Sequence, residues 1–474
     1  MMPIRSRRAG PLLIAWLLGG CAHVQALPRA DSIVPTFPRL PGASETLIGV
    51  ALSGGGSRAA YFGAAGLEAL AHLRPAPAQP SLLEQVAYLS SVSGGSVASS
   101  YFAILKPPAD VAVLDGDDAL SPAWGHFFAD YRTAMGRNIQ RSMEWRQLWK
   151  GRWLNSTKRA TSLAEVLDAN FLQQQTFEQL YDRERRGDSP RLILNATLYN
   201  SGRRLAMTTI PSADFRYDFL GKLERQLEAE SPSPRPLPAS LELASEALNP
   251  LTFQDLGADP SDVPISRAVA ASASFPFFIG PITAQVRGSD AYLHAGDGGL
   301  FDNQGTESLV QLFLKKLDGG EAQRALVIAF DSSFPFWVKN SRFDSVEKGF
   351  EIFVKDAGRI VGIMEQRANA YQSMVWHILQ SQNIVLPDAD TIRVIVLEHT
   401  DERAWPENTA PVLPAACRDE ASDLDTRREV RERLALIPTR FKLTSECDKA
   451  LLRAAARRVV DLHKEEISTF LRGD

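Results

Sequence analysis

Leu47-Ile48-Gly49-Val50-Ala51-Leu52-Ser53-Gly54-Gly55-Gly56-Ser57-Arg58 is the stretch that decides the fold. Residues 47–52 are a short apolar run of the kind a buried strand requires. The glycines stop it, and over 58–73 apolar side chains return at helical spacing. The pattern recurs after a proline-rich link at 75–80. Val86-Ala87-Tyr88-Leu89-Ser90-Ser91-Val92 predicts a second strand, and Gly94 onward predicts a helix carrying Val97, Tyr101, Phe102 and Leu105. Two successive strand-loop-helix units imply a parallel sheet and an α/β fold, since consecutive parallel strands are joined by helices lying on the sheet.

Working outward, residues 191–197, 325–330 and 392–397 read as further buried strands. Residues 108–188 read as a helical insertion containing Trp124, Trp145, Trp149 and Trp153. A long helical segment is expected over 346–381. The charged tail at 426–471 reads as helix, with Leu451, Val459, Val460 and Ile467 on its apolar face. The 474 residues are 45% hydrophobic and 23% charged, ordinary values for a folded chain with an ample core, so disorder is not the theme. A formal net charge of -4 gives no sign of a nucleic-acid partner.

The amino terminus predicts export: Arg5, Arg7 and Arg8 lead into an apolar run over 11–18 that is too short to span a bilayer comfortably. Leu18-Gly19-Gly20-Cys21 resembles the bacterial lipobox, which implies cleavage before Cys21 and acylation of that cysteine; Ala22 then favours the outer membrane. An ordinary cleaved signal or a lone anchor is the alternative. Acyl chains each contribute about 0.8 kcal/mol per buried methylene, enough in combination to hold the protein on a membrane. Residues 21–46 carry Pro28, Pro35, Pro38 and Pro41 without period and read as a tether. The remaining cysteines, Cys417 and Cys447, are expected to be joined in an oxidising compartment, contributing about 3 to 4 kcal/mol. The expected layout is a signal at 1–20, the tether, a catalytic domain at 47–400 and a C-terminal extension at 401–474 packed on it.

Three sites carry the chemistry. Ser93 lies in Ser90-Ser91-Val92-Ser93-Gly94-Gly95-Ser96, between strand and helix, where small neighbours permit a sharp nucleophile turn and the helix start presents its positive end to an oxyanion. Taken alone, Ser93 could equally be a helix cap. Gly54, Gly55 and Gly56 form a second strand-to-helix loop on the same sheet edge, able to donate amides with Gly94 where charge develops on a carbonyl oxygen. A nucleotide phosphate loop would need a Lys and Ser/Thr that are missing here. Asp297 precedes Gly298 and Gly299 and is either a turn starter or a base. A Ser93–Asp331–His399 triad on an α/β-hydrolase fold is also permitted by chain order. No His, Cys or Asp cluster has metal-ligand spacing, so neither metal nor cofactor is expected.

Together these residues resemble the patatin-like phospholipase family: Gly54-Gly55-Gly56-Ser57-Arg58 as oxyanion loop, Ser91-Val92-Ser93-Gly94-Gly95 as nucleophile elbow, Asp297-Gly298-Gly299 as the dyad acid. Asn195-Ala196-Thr197, Gly202-Arg203 and the segment 268–276 support it. The resemblance covers about residues 46–400. It implies a three-layer α/β/α sandwich, a Ser-Asp dyad in which Asp297 takes the Ser93 proton without an imidazole, and cleavage of fatty-acyl esters in membrane lipids. Two positions depart from the family pattern: Ser91 stands for the first glycine of the elbow, and Ala59 follows Arg58 where many members have glycine. The latter form looks more like the cytosolic phospholipase A2 branch, by which Arg58 is expected to hold a lipid phosphate, with a structural ion pair as the alternative. A catalytically silent membrane-surface protein on the same fold is the reading from a different functional class.

Overall fold

Side-chain alternation along the strands separates two hydrophobic cores. The computed structural model describes residues 23–32, 34–40, 45–76, 79–149, 152, 158–230, 239–275, 279–333, 368, 391–405, 413–418, 420, 424 and 426–473. Its strands are β1 (Val24–Leu27), β2 (Thr46–Leu52), β3 (Tyr88–Val92), β4 (Arg191–Leu198), β5 (Arg203–Thr208), β6 (Ile282–Val286), β7 (Leu293–Asp297), β8 (Arg324–Asp331) and β9 (Ile392–Glu398). In β2, Ile48, Val50 and Leu52 enter one core while Leu47 and Ala51 enter the other, as the period of two in a strand demands.

The helices are α1 (Gly56–Ala71), α2 (Gly94–Leu105), α3 (Pro122–Met135), α4 (Ile139–Trp149), α5 (Arg159–Leu167), α6 (Phe177–Arg186), α7 (Phe219–Glu230), α8 (Ala239–Leu248), α9 (Ile265–Ser272), α10 (Thr306–Asp318), α11 (Arg427–Leu436) and α12 (Glu446–Arg472). Helices α1, α2 and α12 supply Phe62, Leu70, Val97, Phe102, Leu451 and Val459 to the first core. Helix α10 supplies Leu309, Leu312 and Phe313 to the second, which gives the expected three-layer α/β/α sandwich. Every residue of α1 is buried, because the helix lies between the sheet and α12.

Strands β9, β8, β2, β3 and β4 run parallel in that spatial order. β5 then pairs antiparallel with β4 over its whole length. The other edge of β4 is shared: β3 occupies it up to the pair Val92↔Asn195, and antiparallel β7 takes over from Ala196↔Asp297. The expected strands at 86–92, 191–197, 325–330 and 392–397 all form, and the tail holds two helices, α11 and α12. Of the expected 346–381 helix only Ala368 is described, and it is helical; Cys21 and the export signal lie outside the described residues.

The tether expected over 21–46 needs correction. Val24–Leu27 joins the sheet parallel to β6, Phe37 is buried and stacks on Tyr181, and the Arg191 guanidinium donates to the Leu40 carbonyl at 2.7 Å. Val24, Leu27 and Phe37 give this segment enough apolar surface to dock despite its prolines. The C-terminal extension packs α12 along α1, where Arg453 meets the buried Glu68 at 2.8 Å, and a disulfide joins Cys417 to Cys447.

Candidate active site

The shared edge of β4 brings two chain ends together. β3 arrives from one direction and delivers Ser93; β7 arrives from the other and delivers Asp297, their last pairs being with adjacent residues of β4. Ser93 has φ 51° and ψ -116°, a left-handed conformation that a residue with a Cβ adopts only when its surroundings impose it. A buried hydroxyl network does so. The Ser93 N–H donates to Ser272 Oγ at 3.0 Å, and Ser272 Oγ donates to the Asn195 carbonyl at 2.6 Å. Ser272 also meets Ser96 Oγ at 2.8 Å, and Asn195 Nδ2 donates to the Ser91 carbonyl at 3.0 Å. Ser91, the departure from the elbow pattern, has its hydroxyl 2.6 Å from Ser99 Oγ and accepts from Ser96 Oγ at 3.2 Å. A serine is therefore tolerated there because α2 offers it two hydroxyl partners. Ser272, not singled out in the sequence, lies in the 268–276 segment that carries part of the resemblance.

The glycine loop abuts this elbow backbone to backbone. A Cβ on Gly94 would stand 2.0 Å from the Gly56 carbonyl oxygen, so only glycine allows the starts of α1 and α2 to touch. Gly55 and Gly56 have φ of 138° and 62°, which the turn into α1 requires. Among the described residues, the amides of Gly55, Gly56 and Gly94 donate to no protein group, as expected of first-turn helix N–H groups left for a ligand. Gly54 must be removed from the expected donor set: its amide donates to the Asn303 carbonyl at 2.8 Å. The Ser57 amide is likewise used, by the Arg440 carbonyl at 2.8 Å.

Asp297 is buried, and its Oδ1 accepts from the Gly299 amide at 2.9 Å while Oδ2 has no hydrogen bond of regular geometry. Burial pushes its pKa up to about 6, against the opposing pull of the Gly299 amide and of the Ser93 hydroxyl that faces it. The backbone is fixed on both sides: Thr197 Oγ1 donates to the Asp297 carbonyl at 2.9 Å, and the Asp297 amide donates to the Ser274 carbonyl at 3.1 Å. Tyr199, also missed in the sequence, sits beside it. Its hydroxyl is pushed up to about 12 by burial and by the Asp297 charge, and it fills the space next to Gly296.

Arg58 is fully buried rather than open to a phosphate, which corrects the expected substrate role. Its Nε donates to the Ser332 carbonyl at 3.1 Å, Nη1 to the Ile437 carbonyl at 2.6 Å, and Nη2 to the Ser332 carbonyl at 2.7 Å and Thr439 Oγ1 at 3.2 Å. The guanidinium ties the glycine loop to the C-terminal extension. The triad is not assembled either. His399 follows β9, three strands from β3, or about 14 Å at the usual spacing. Its Nδ1 faces the Asp331 backbone carbonyl at 3.3 Å, not the carboxylate, whose Oδ2 accepts from Gln304. Burial, then the Arg58 charge, hold His399 well below its ordinary pKa. His294, on β7, has its Nδ1 3.1 Å from Thr283 Oγ1. Among the described residues no group of three metal-ligating side chains occurs, and no helix is long and apolar enough to cross a membrane.

The model of one family, patatin-like phospholipase, matches residues 50–310, more than half of the chain. Among solved structures, human GIVD cytosolic phospholipase A2 is similar at a TM-score of 0.46 and 13% identity, over 90% of this chain and 60% of that one. The same human enzyme in complex with methyl gamma-linolenyl fluorophosphonate and terbium chloride gives 0.39 and 16%, over 90% and 59%. The chain thus spans about three fifths of the length of these structures. No curated protein matches it. By the family model, whose span contains the elbow, the glycine loop and Asp297, this chain belongs to the patatin-like phospholipases.

Proposed function

We propose that the chain is a serine acyl hydrolase that cleaves fatty-acyl esters of phospholipids, lysophospholipids or neutral lipids through a Ser93–Asp297 dyad. The observation that carries this reading is the meeting of a strained Ser93 and a buried Asp297 with an open Oδ2 on one edge of β4. Asp297 accepts the Ser93 proton as Oγ bonds to the ester carbonyl carbon. The amides of Gly55, Gly56 and Gly94 donate to the resulting oxyanion, a contribution of about a hundred- to thousand-fold in rate per donor. Collapse breaks the ester C–O bond; Asp297 returns the proton to the departing alkoxide, leaving acyl-Ser93. Water, deprotonated by Asp297, then attacks the acyl group, and Ser93 regains its proton as the fatty acid leaves.

The lipobox-like Leu18-Gly19-Gly20-Cys21 supports an envelope location for this activity, with the protein held by acylated Cys21 at the outer membrane. The test is fluorophosphonate labelling with peptide mapping, alongside mass spectrometry of products from a mixed lipid extract. The wild type should carry its adduct on Ser93 and release free fatty acid, and Ser93→Ala should do neither. A folded wild type without the adduct would sink the proposal.

A further inference from the structure

Helix α4 turns its apolar residues outward. Ile139 and Met143 face the core, whereas Trp145, Leu148 and Trp149 are 67%, 68% and 81% exposed. With the exposed Arg141 they recur at i, i+4, i+7 and i+8, a single helix face. Large exposed apolar side chains grouped in this way mark a contact surface. The charge around them favours one kind of partner. Residues 137–159 hold Arg137, Arg141, Arg146, Lys150, Arg152, Lys158 and Arg159 against Glu144, and even with Glu165 pairing Arg146 and Arg152 the segment stays basic in a chain whose formal net charge is -4. Tryptophan beside arginine and lysine is the composition of a helix lying in the headgroup region of an anionic bilayer.

The surroundings of His23 show how this basic segment is placed. Arg146 and Arg152 both reach Glu165 of α5, at 3.5 and 2.7 Å, which fixes the end of α4 beside α5. His23 lies within the field of Lys158, Arg152 and Arg267, and those charges add to burial in lowering its pKa. His23, the first described residue, thus lies near Arg152 and Lys158 of this insertion.

We propose that the Arg141–Trp145–Leu148–Trp149 face of α4 is a membrane-contact surface that rests on an anionic phospholipid bilayer. The inference rests on the lipid-hydrolase reading for its choice of a bilayer as partner. The face steadies the enzyme against the membrane that holds its substrate, while the anchor alone would leave its orientation free.

The full-length protein is mixed with vesicles of equal parts phosphatidylglycerol and phosphatidylcholine whose acyl chains are brominated, and tryptophan emission is read. Quenching is expected, and Trp145→Phe with Trp149→Phe should remove most of it. Pure phosphatidylcholine vesicles and Arg141→Glu should each weaken it several-fold. In parallel, Trp145→Ser with Trp149→Ser should slow hydrolysis of vesicle lipid about tenfold and leave hydrolysis of a water-soluble short-chain ester unchanged. Quenching that persists in the Phe variant, or is equal without phosphatidylglycerol, overturns the inference. So does lipid-free self-association in sedimentation that the Ser variant abolishes, since a second copy would then cover the face. Quenching is independent of turnover, so an inactive wild type that is quenched as described would defeat the lipid-hydrolase reading and leave the surface standing.

Discussion

The two loops that meet at the site are built alike and held differently. Each connects a parallel strand to a helix, and each leaves first-turn amides unused. The Ser93 elbow is held by buried polar side chains: Ser272 on the Ser93 amide and Asn195 on the Ser91 carbonyl, with the hydroxyls of Ser91, Ser96 and Ser99 linked beside them. The glycine loop is held from far away: by the carbonyls of Asn303 and Arg440, and through Arg58 by Ser332 and Ile437. One loop is therefore strained and propped by side-chain hydroxyls and an amide, while the other is glycine clamped through backbone carbonyls and the Arg58 fork. The extension that follows the sheet is thus part of the active-site frame, which its place outside the family match at 50–310 does not suggest.

The largest effect is expected from breaking the elbow side at its base. Asp297→Asn should lower kcat by up to about 10⁴-fold, since the amide cannot accept the Ser93 proton. In the wild type, kcat/KM should fall as pH drops through about 6, where the buried carboxylate takes up a proton. The same shift has a stability consequence of opposite sign. The folded pKa lies above the unfolded one near 3.9, so ionised Asp297 disfavours the fold above pH 6, and that penalty vanishes below about pH 4. Asp297→Asn should accordingly be more stable than wild type at pH 7.5, by on the order of 2 kcal/mol, with the gap closing at pH 4 in denaturant titrations. A less stable Asn variant at pH 7.5 would contradict the net cost of burying the Asp297 charge.

Next in size is the contact that joins the two loops. In Gly94→Ala the new Cβ would meet the Gly56 carbonyl oxygen, which is backbone and cannot swing aside. Either α1 or α2 must shift, carrying its free amides with it. A hundred- to thousand-fold loss of kcat is expected, with fluorophosphonate labelling of Ser93 slowed in step, and a stability loss of about 1 to 3 kcal/mol. Normal labelling at normal stability would mean that the loops are not in contact.

The difference between the loops also explains what could be read in advance. The parallel strands announced themselves as apolar runs bounded by glycine, and the elbow and Asp297 as small-residue turns. β6 and β7 gave no such signal. Leu293-His294-Ala295-Gly296-Asp297 has neither an apolar run nor clean alternation, because it is a short strand ending in the site. Ser272 and Tyr199 were equally silent: a hydroxyl that props another residue's backbone looks like any other serine until tertiary structure sets its partner. The structural role of Arg58 is hidden from the sequence for the same reason. Beside a glycine loop an arginine suggests an anion, and nothing local reveals that residues 437–439 fold back onto it.

The buried fork of Arg58 is where the smallest and most discriminating effect is expected. Arg58→Lys keeps the charge but replaces a planar fork by a single ammonium, which cannot serve Ser332, Ile437 and Thr439 together. At least one buried carbonyl is left without a donor, at a cost of about 1 to 3 kcal/mol. The clamp on the glycine loop should loosen, so exchange of the Ser57 amide, which donates to Arg440, should quicken. Turnover should fall by about tenfold, and equally, on a phospholipid and on a neutral diacylglycerol, because the donors disturbed are those facing the ester carbonyl common to both. A residue that held the lipid phosphate would behave otherwise: KM would rise on the phospholipid alone, and the diacylglycerol and the Ser57 amide would be unaffected.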